Sequence, residues 1–312
     1  MPRVSVVIPT YNRAAMVCVA IDSALAQTFR DQEVVVVDDG STDGTAEVLA
    51  ARYGDRIRYL RQENAGSAAA RNHGVREARG ELIAFLDSDC VWVPEKTALQ
   101  VGYLDAHPEM AMVYSPHLPL AEDGRLLRET ANEKVYHSGR IFRALYSETH
   151  FLSNPTVMIR KKVIEEVGGF DESFRLCQDA ELYLRVAHAH PVGVIETPLT
   201  HYRHHPGQIS KQQERKLEFL RKMYEKAYRL FRDSKPRVTG RMYRRRMADL
   251  DFKMARLLIR RGQIVASRPL VRAALWQSPW SFRLWRYAGW VHTRGDVEVA
   301  AGGLAGGDGD DD

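Results

Sequence analysis

The stretch VVVVDDGSTDGT, residues 34–45, ends a block of β-branched residues on Asp38 and Asp39 and then enters a loop of Gly, Ser, Thr and Asp. A second apolar run, LIAFL, ends on Asp87, Ser88 and Asp89. Paired carboxylates at the end of such a run offer hard oxygen ligands. Mg²⁺ and Mn²⁺ take ligands of this kind, commonly one or two carboxylates together with substrate phosphate oxygens. If the run stays extended, Asp87 and Asp89 project to the same side. Taken alone, the triplet reads equally well as a solvated turn with an Asp helix cap. Neither GxGxxG nor GxxxxGK[ST] occurs, so a phosphate ligand would be held through metal and basic side chains. Further on, HYRHHPGQIS carries His201, His204 and His205, but no cysteine or second histidine cluster completes a four-ligand zinc site.

These residues need elements to hold them. VSVVIP (4–9), EVVVVDD, RIRYL and LIAFLDSD read as strands, because they are short apolar or β-branched runs. Between them lie helical patterns over 14–27, TAEVLAARY (with Asp43 as its cap) and AGSAAARNHGVREA. The βαβαβαβ order predicts a mostly parallel sheet with helices on both faces. In such sheets ligands bind beyond the carboxyl ends of strands. PTYNR, DDGSTD and DSD are therefore expected on one rim. SNPTVMIRKKVIEEVGGFDESF predicts a strand, a short helix and a Gly-Gly turn, and QDAELYLRVAHA an amphipathic helix opening with acids.

Charge divides the chain. Residues 1–210 hold 22 Lys and Arg against 28 Asp and Glu; residues 211–295 hold 23 against 6; residues 296–312 hold six acids and no base. Two kinds of polypeptide are thus joined near residue 210. The first N-terminal run is broken by Pro9 and reads as a strand rather than a signal peptide, and no stretch approaches the roughly 18 apolar residues of a spanning helix. Three scattered cysteines fit reduced thiols. The expected location is cytoplasmic.

In order and at matching spacing, VSVVIPTYNR, VVVVDDGSTDGT, ENAGSAAARNHGV, LIAFLDSD, GGFDESF and QDAELYLRV resemble the family 2 glycosyltransferases, inverting enzymes of the GT-A fold. The resemblance covers residues 3 to about 210. It implies a nucleotide-sugar donor, with UDP-sugars the commonest, a divalent metal (Mn²⁺ or Mg²⁺) and a saccharide or lipid-linked acceptor hydroxyl. Residue by residue, it implies that Pro9, Thr10 and Tyr11 line the nucleobase pocket and that Asp39 binds the base edge. Arg71 would lie near the base or phosphates, Asp87 would contact the ribose, and Ser88 would join the donor-binding set. Asp89 would ligate the metal, with His205 closing over the diphosphate or metal in an H-x-x-x-x-S setting with Ser210. Cys90 stands where the family often has a further Asp. The family's general base lies in an ED pair, which here is Gln178–Asp179; Asp179 is the expected base and Glu181 the alternative. A positioned base is worth about 10²–10⁴-fold.

The same strand-end acids would also suit a GT-A-like nucleotidyltransferase, although PTYNR lacks the glycines of its usual loop. A third reading is a non-catalytic adaptor serving the basic region; the intact Asp39, Asp87, Asp89 and Asp179 weigh against it. Four helices are expected over 211–295, and a disordered acidic tail over 296–312. The tryptophans 276, 280, 285 and 290 are either core residues of this bundle or, with the basic side chains, contacts to an anionic membrane surface. Nucleic acid is not expected, since no readable module is present.

Overall fold

The structure is a computed structural model and describes residues 1–128, 135–147, 152–205 and 212–293. The chain divides into two compact units, Met1–Ile209 and Ser210–Asp312.

In the first unit the strands are β1 (Val4–Thr10), β2 (Gln32–Asp38), β3 (Arg58–Arg61), β4 (Leu82–Phe85), β5 (Val91–Trp92), β6 (Met112–Tyr114), β7 (His117–Leu120), β8 (Met158–Arg160), β9 (Val192–Val194) and β10 (Thr200–Arg203). The helices are α1 (Ala14–Leu25), α2 (Thr45–Tyr53), α3 (Ser67–Glu77), α4 (Lys96–Ala106), α5 (Phe142–Ser147), α6 (Lys161–Glu166) and α7 (Gln178–Ala189). Seven strands form one sheet in the order β3-β2-β1-β4-β8-β6-β9, and β5-β10-β7 form a small second sheet. The pairs among β3, β2, β1 and β4 are parallel; β8 runs antiparallel to both of its neighbours.

The four valines 34–37 explain the sheet's place in the core. Val34 and Val36 pack into the main cluster with Val4, Val6, Ile8, Val17 and Ile21, while Val35 and Val37 pack on the other face against Ala70. A strand covered on both faces needs no polar alternation. Helix α3 lies so close to β1 that a Cβ at Gly74 would meet Val7 Cγ1 at 2.4 Å. Larger residues there would push the helix off the sheet.

Register sets the rim. Thr10 pairs with Asp38 and Val7 with Phe85, so the carboxyl ends of β1, β2 and β4 lie side by side. The strand expected to run through Asp89 ends at Phe85, and residues 87–90 form a turn closed by Cys90 N–H donating to Asp87 O at 3.0 Å. Asp43 does not take the N-cap position of α2, which Gly44 holds. Its carboxylate instead accepts from Ala14 N–H at 3.2 Å and from Thr45 N–H at 3.2 Å, bridging the starts of α1 and α2.

The chain after the triplet is anchored by buried polar groups. Trp92 Nε1 donates to Pro155 O, Gln100 Nε2 to Thr156 O, and Gln27 Oε1 accepts from Thr97. Lys96 is fully buried, donates to Gln100 Oε1 at 2.6 Å and lies 4.0 Å from the centre of the Trp92 ring. Burial pushes its ammonium well below the ordinary lysine value.

The second unit is helical: α8 (Gln213–Phe231), α9 (Gly240–Arg260), α10 (Ile264–Gln277) and α11 (Phe282–Thr293). Helix α10 starts three residues before the expected Ser267, directly after the left-handed Gly262 that ends α9. Phe252, Ala255, Ile259, Val271 and Leu284 form its core. Asp251 is buried there and accepts from Arg221 and from Gln277 Nε2. The reading of the tryptophans as core residues fails for three of them: Trp276, Trp280 and Trp285 are 82%, 96% and 58% exposed at the α10–α11 corner. The side chain of Trp290 and the acidic stretch 296–312 lie outside the described residues.

Candidate active site

The loops after β1, β2 and β4 meet at the rim. Asp38 is buried and holds its own loop, accepting from Ser41 N–H at 2.8 Å and from Tyr59 Oη at 2.6 Å. Asp39 is also buried. Its Oδ1 accepts from Gln62 Nε2 at 2.8 Å and Ala65 N–H at 2.9 Å, and its Oδ2 from Gly66 N–H at 2.8 Å. Asp39 therefore binds the loop leading into α3, with one acceptor direction left on Oδ2. Thr10 and Pro9 are buried and Tyr11 is about half exposed.

Helix α3 delivers Arg71 to the triplet. Its Nη2 donates to Asp87 Oδ1 at 2.6 Å, and its guanidinium lies 5.7 Å from the centre of the Phe170 ring. One residue on, Asn72 exchanges two 2.9 Å hydrogen bonds with the backbone of Phe170, which clamps the GGFDESF segment to α3. Gln178 Nε2 donates to Ser67 Oγ at 2.6 Å, tying the start of α7 to the start of α3.

Asp87, Asp89 and Cys90 present ligand atoms within 4.8 Å of one another. Turn geometry brings the carboxylates together, not the strand alternation that the sequence suggested. Burial raises the Asp87 carboxyl above its ordinary value; Arg71 pulls it back, and the charges of Asp89 and Asp179 add to the rise. Burial also pushes Asp89 upward, but Arg13, with hydrogen bonds from His205, Arg13 and Cys90, outweighs it and holds Asp89 below the ordinary range. The two acids are thus driven apart, as neighbouring carboxylates in one site are. His205 Nε2 lies 3.1 Å from Asp89 Oδ2. Burial raises the Cys90 thiol well above its ordinary value, so the thiol is neutral and lies 3.5 Å from Asp89 Oδ1 as a donor. Asp87 and Asp89 supply hard carboxylate oxygens of the kind Mn²⁺ and Mg²⁺ take, with His205 against Asp89; the neutral thiol adds no charge to the cluster.

Asp179 lies in the first turn of α7, which follows the left-handed Cys177. Its charge acts on Asp87 and on Tyr183, which places it within electrostatic reach of the triplet. Glu181 is turned elsewhere. It is buried and takes two hydrogen bonds from Arg185, whose guanidinium also donates to Gly169 O at 2.7 Å. His201 pairs within the small sheet and His204 is exposed, so of the three histidines only His205 reaches the acids. Ser210 lies outside the described residues.

Sequence reasoning missed Arg13, whose Nη1 donates to Asp89 Oδ2 at 2.7 Å and approaches Ser88 Oγ at 3.4 Å. Nothing in the spacing signals a pair 76 positions apart. Among the described residues, Thr10 Oγ1, Arg71 Nε and Gln178 Oε1 are buried without a hydrogen-bond partner.

Comparison with known proteins agrees with this architecture. TarS of S. aureus (residues 1–349, in complex with UDP-GlcNAc) superposes with a TM-score of 0.63 over 88% of this chain and 82% of its own, at 18% identity. The mannosyltransferase PcManGT of Pyrobaculum calidifontis, in complex with GDP-Man and Mn²⁺, gives 0.58 over 94% and 80%, at 19% identity. These share the GT-A fold. An uncharacterized glycosyltransferase of Rickettsia felis is 35% identical over 213 residues, 67% of this chain and 35% of its own length. The chondroitin synthase of Escherichia coli is 32% identical over 61% of this chain and 27% of its own. The chain thus spans about a third of the length of the first of these curated relatives. Residues 5–168 match the family described as Glycosyl transferase family 2, more than half of the sequence, and the chain belongs to that family.

Proposed function

We propose that residues 1–210 form a metal-dependent, inverting glycosyltransferase that moves a sugar from a nucleotide diphosphate sugar, with UDP-sugar first among donors, to an acceptor hydroxyl. The reading that follows from the relatives is cell-surface polysaccharide or glycolipid synthesis, since one of them is a chondroitin synthase and one structural neighbour is bound to UDP-GlcNAc. The observation that carries the proposal is the meeting of Asp87, Asp89 and Cys90 on the carboxyl rim of a mostly parallel sheet, with His205 against Asp89 and the charge of Asp179 felt at Asp87.

In the proposed reaction the acceptor oxygen bonds to the anomeric carbon as the bond to the diphosphate oxygen breaks, and the nucleoside diphosphate leaves. Asp179 takes the acceptor proton. Asp89 and His205 would hold a Mn²⁺ or Mg²⁺ ion, which when bound offsets charge on the departing diphosphate. Arg71 supports Asp87 beside the ribose. The rim of Pro9, Thr10, Tyr11 and Asp39 receives the base, where the unpartnered Thr10 Oγ1 supplies a further polar contact. Ser88 belongs to the same donor-binding set.

The basic helical region 211–295 is proposed to hold the enzyme peripherally at the anionic inner face of the cytoplasmic membrane, with the acidic 296–312 as a separate tail. No helix among the described residues is long and apolar enough to cross a membrane. The three exposed tryptophans at one helix corner favour this surface reading, because indoles settle at a lipid–water boundary and basic side chains at anionic headgroups.

The test is a thermal-shift screen of nucleotide sugars with Mn²⁺. A donor at 100 times its Kd stabilises by about 2.7 kcal/mol. Transfer of the sugar to an acceptor, followed by anomeric analysis of the product, then decides inversion.

A further inference from the structure

Asp89 Oδ2 is shared. Arg13 Nη1 lies 2.7 Å from it and His205 Nε2 3.1 Å from the same atom. The transfer chemistry described above gives Arg13 no part, yet its placement is built with care. Asn12, just before it, has φ +50, one of two non-glycine residues in the left-handed region among the described residues. Such backbone is uncommon outside glycine, and it persists where its surroundings hold it. Here they do: Asn12 N–H donates to Ser41 Oγ at 2.9 Å, Thr42 N–H donates to Asn12 Oδ1 at 2.8 Å, and Ala14 N–H donates to Asp43 Oδ2 at 3.2 Å. The loop after β2 thus grips both neighbours of Arg13 and leaves its side chain, 24% exposed, reaching the triplet.

Resting on the reading of Asp89 and His205 as metal ligands, we propose that Arg13 is the resident counter-ion of that site, so that a divalent ion binds well only together with a nucleoside diphosphate. A guanidinium is permanently charged. A divalent ion held by Asp89 would bring a second positive centre to the carboxylate that Arg13 now pairs with. The ion and Arg13 then compete for one carboxylate, and a guanidinium displaced from it needs another anion. The diphosphate brings one, in a form that guanidinium groups bind through two hydrogen bonds. Metal and diphosphate would therefore each strengthen the other's binding by the same factor.

The experiment titrates Mn²⁺ into the full chain with and without UDP, by calorimetry and by the electron paramagnetic resonance signal of free Mn²⁺. It compares wild type, Arg13→Gln and Arg13→Lys, with thermal melts in EDTA to establish that each is folded. Arg13→Gln is expected to bind Mn²⁺ alone about tenfold more tightly, with the enhancement by UDP reduced about tenfold, within the usual range of coupling between sites. Arg13→Lys keeps the charge and should stay near wild type. Unchanged or weaker binding of Mn²⁺ alone by folded Arg13→Gln overturns the counter-ion role while leaving the metal site intact. If wild type takes up no Mn²⁺ even with UDP, the metal reading itself fails, and this inference with it.

Discussion

Arg71 donates to Asp87 at 2.6 Å and so joins α3 to the turn that carries Asp87 and Asp89. It is the strongest influence opposing the rise that burial imposes on Asp87. Arg71→Met should therefore lift the Asp87 carboxyl further. A raised carboxyl stays protonated to higher pH, so the acid limb of UDP–Mn²⁺ binding should move toward neutrality. Affinity measured from pH 5 to 8 checks this; superimposable profiles would show that Asp87 ionisation does not control binding.

Asp179→Asn keeps size and removes the basic oxygen. Donor affinity should hold while kcat falls about 10² or more. Steady-state kinetics with a donor Kd from calorimetry separate the two. A kcat within a few-fold of wild type would remove Asp179 as the base, and Glu181 would not inherit the role in this arrangement, since Arg185 occupies both of its oxygens.

Asp89→Ala deletes the proposed metal ligand and the partner of both Arg13 and His205. Metal-dependent UDP binding should be lost. An affinity for UDP–Mn²⁺ equal to wild type would take Asp89 out of the metal site.

Vesicle binding by the basic helices should need anionic lipid and fall with salt, because the screening length shrinks from about 10 Å at 0.1 M to about 3 Å at 1 M. Replacing Trp276, Trp280 and Trp285 by Ser, all exposed, should weaken what remains at high salt without lowering the melting temperature. Co-sedimentation with anionic and neutral vesicles measures both. Equal, negligible pelleting with the two vesicle types would reject the membrane surface.

Lys96→Met tests the buried ammonium. The folded state depresses this group below its 10.5 reference. Between the depressed value and 10.5 the unfolded chain binds more protons, so wild-type stability from this site grows as pH rises. The variant has no ammonium there and lacks that dependence on pH. Its stability relative to wild type should therefore be greatest below the depressed value and decline as pH rises toward 10.5, as read by urea unfolding; a pH-independent difference would mean that Lys96 does not titrate in that window.

Part of this site was legible because the signals were local. Val34–Val37 announce a strand buried on both faces, and the order of strands and helices implies a parallel sheet with ligands at its carboxyl rim. The acids 38, 39, 87, 89 and 179 are conspicuous because they follow apolar runs or open a helical pattern. Asp38 ends β2 with Asp39 next to it, Asp87 and Asp89 lie in the turn after β4, and Asp179 lies in the first turn of α7. Less local features misled. The apolar run predicts a strand extended through Asp89, but the chain turns after Phe85, where Cys90 N–H donates to Asp87 O.

The amino-acid sequence by itself determined the family, the α/β architecture of the first unit, the helical second unit and the charge contrast between them, because patterning and composition act along the chain. Tertiary structure decided which groups meet. It chose His205 over His201 and His204, committed Glu181 to Arg185, turned three tryptophans outward and set Arg13 on Asp89. Those outcomes depend on register and loop geometry. A pair such as Arg13 and Asp89, 76 residues apart, has no spacing rule to betray it, and only the folded rim brings the two charges to 2.7 Å.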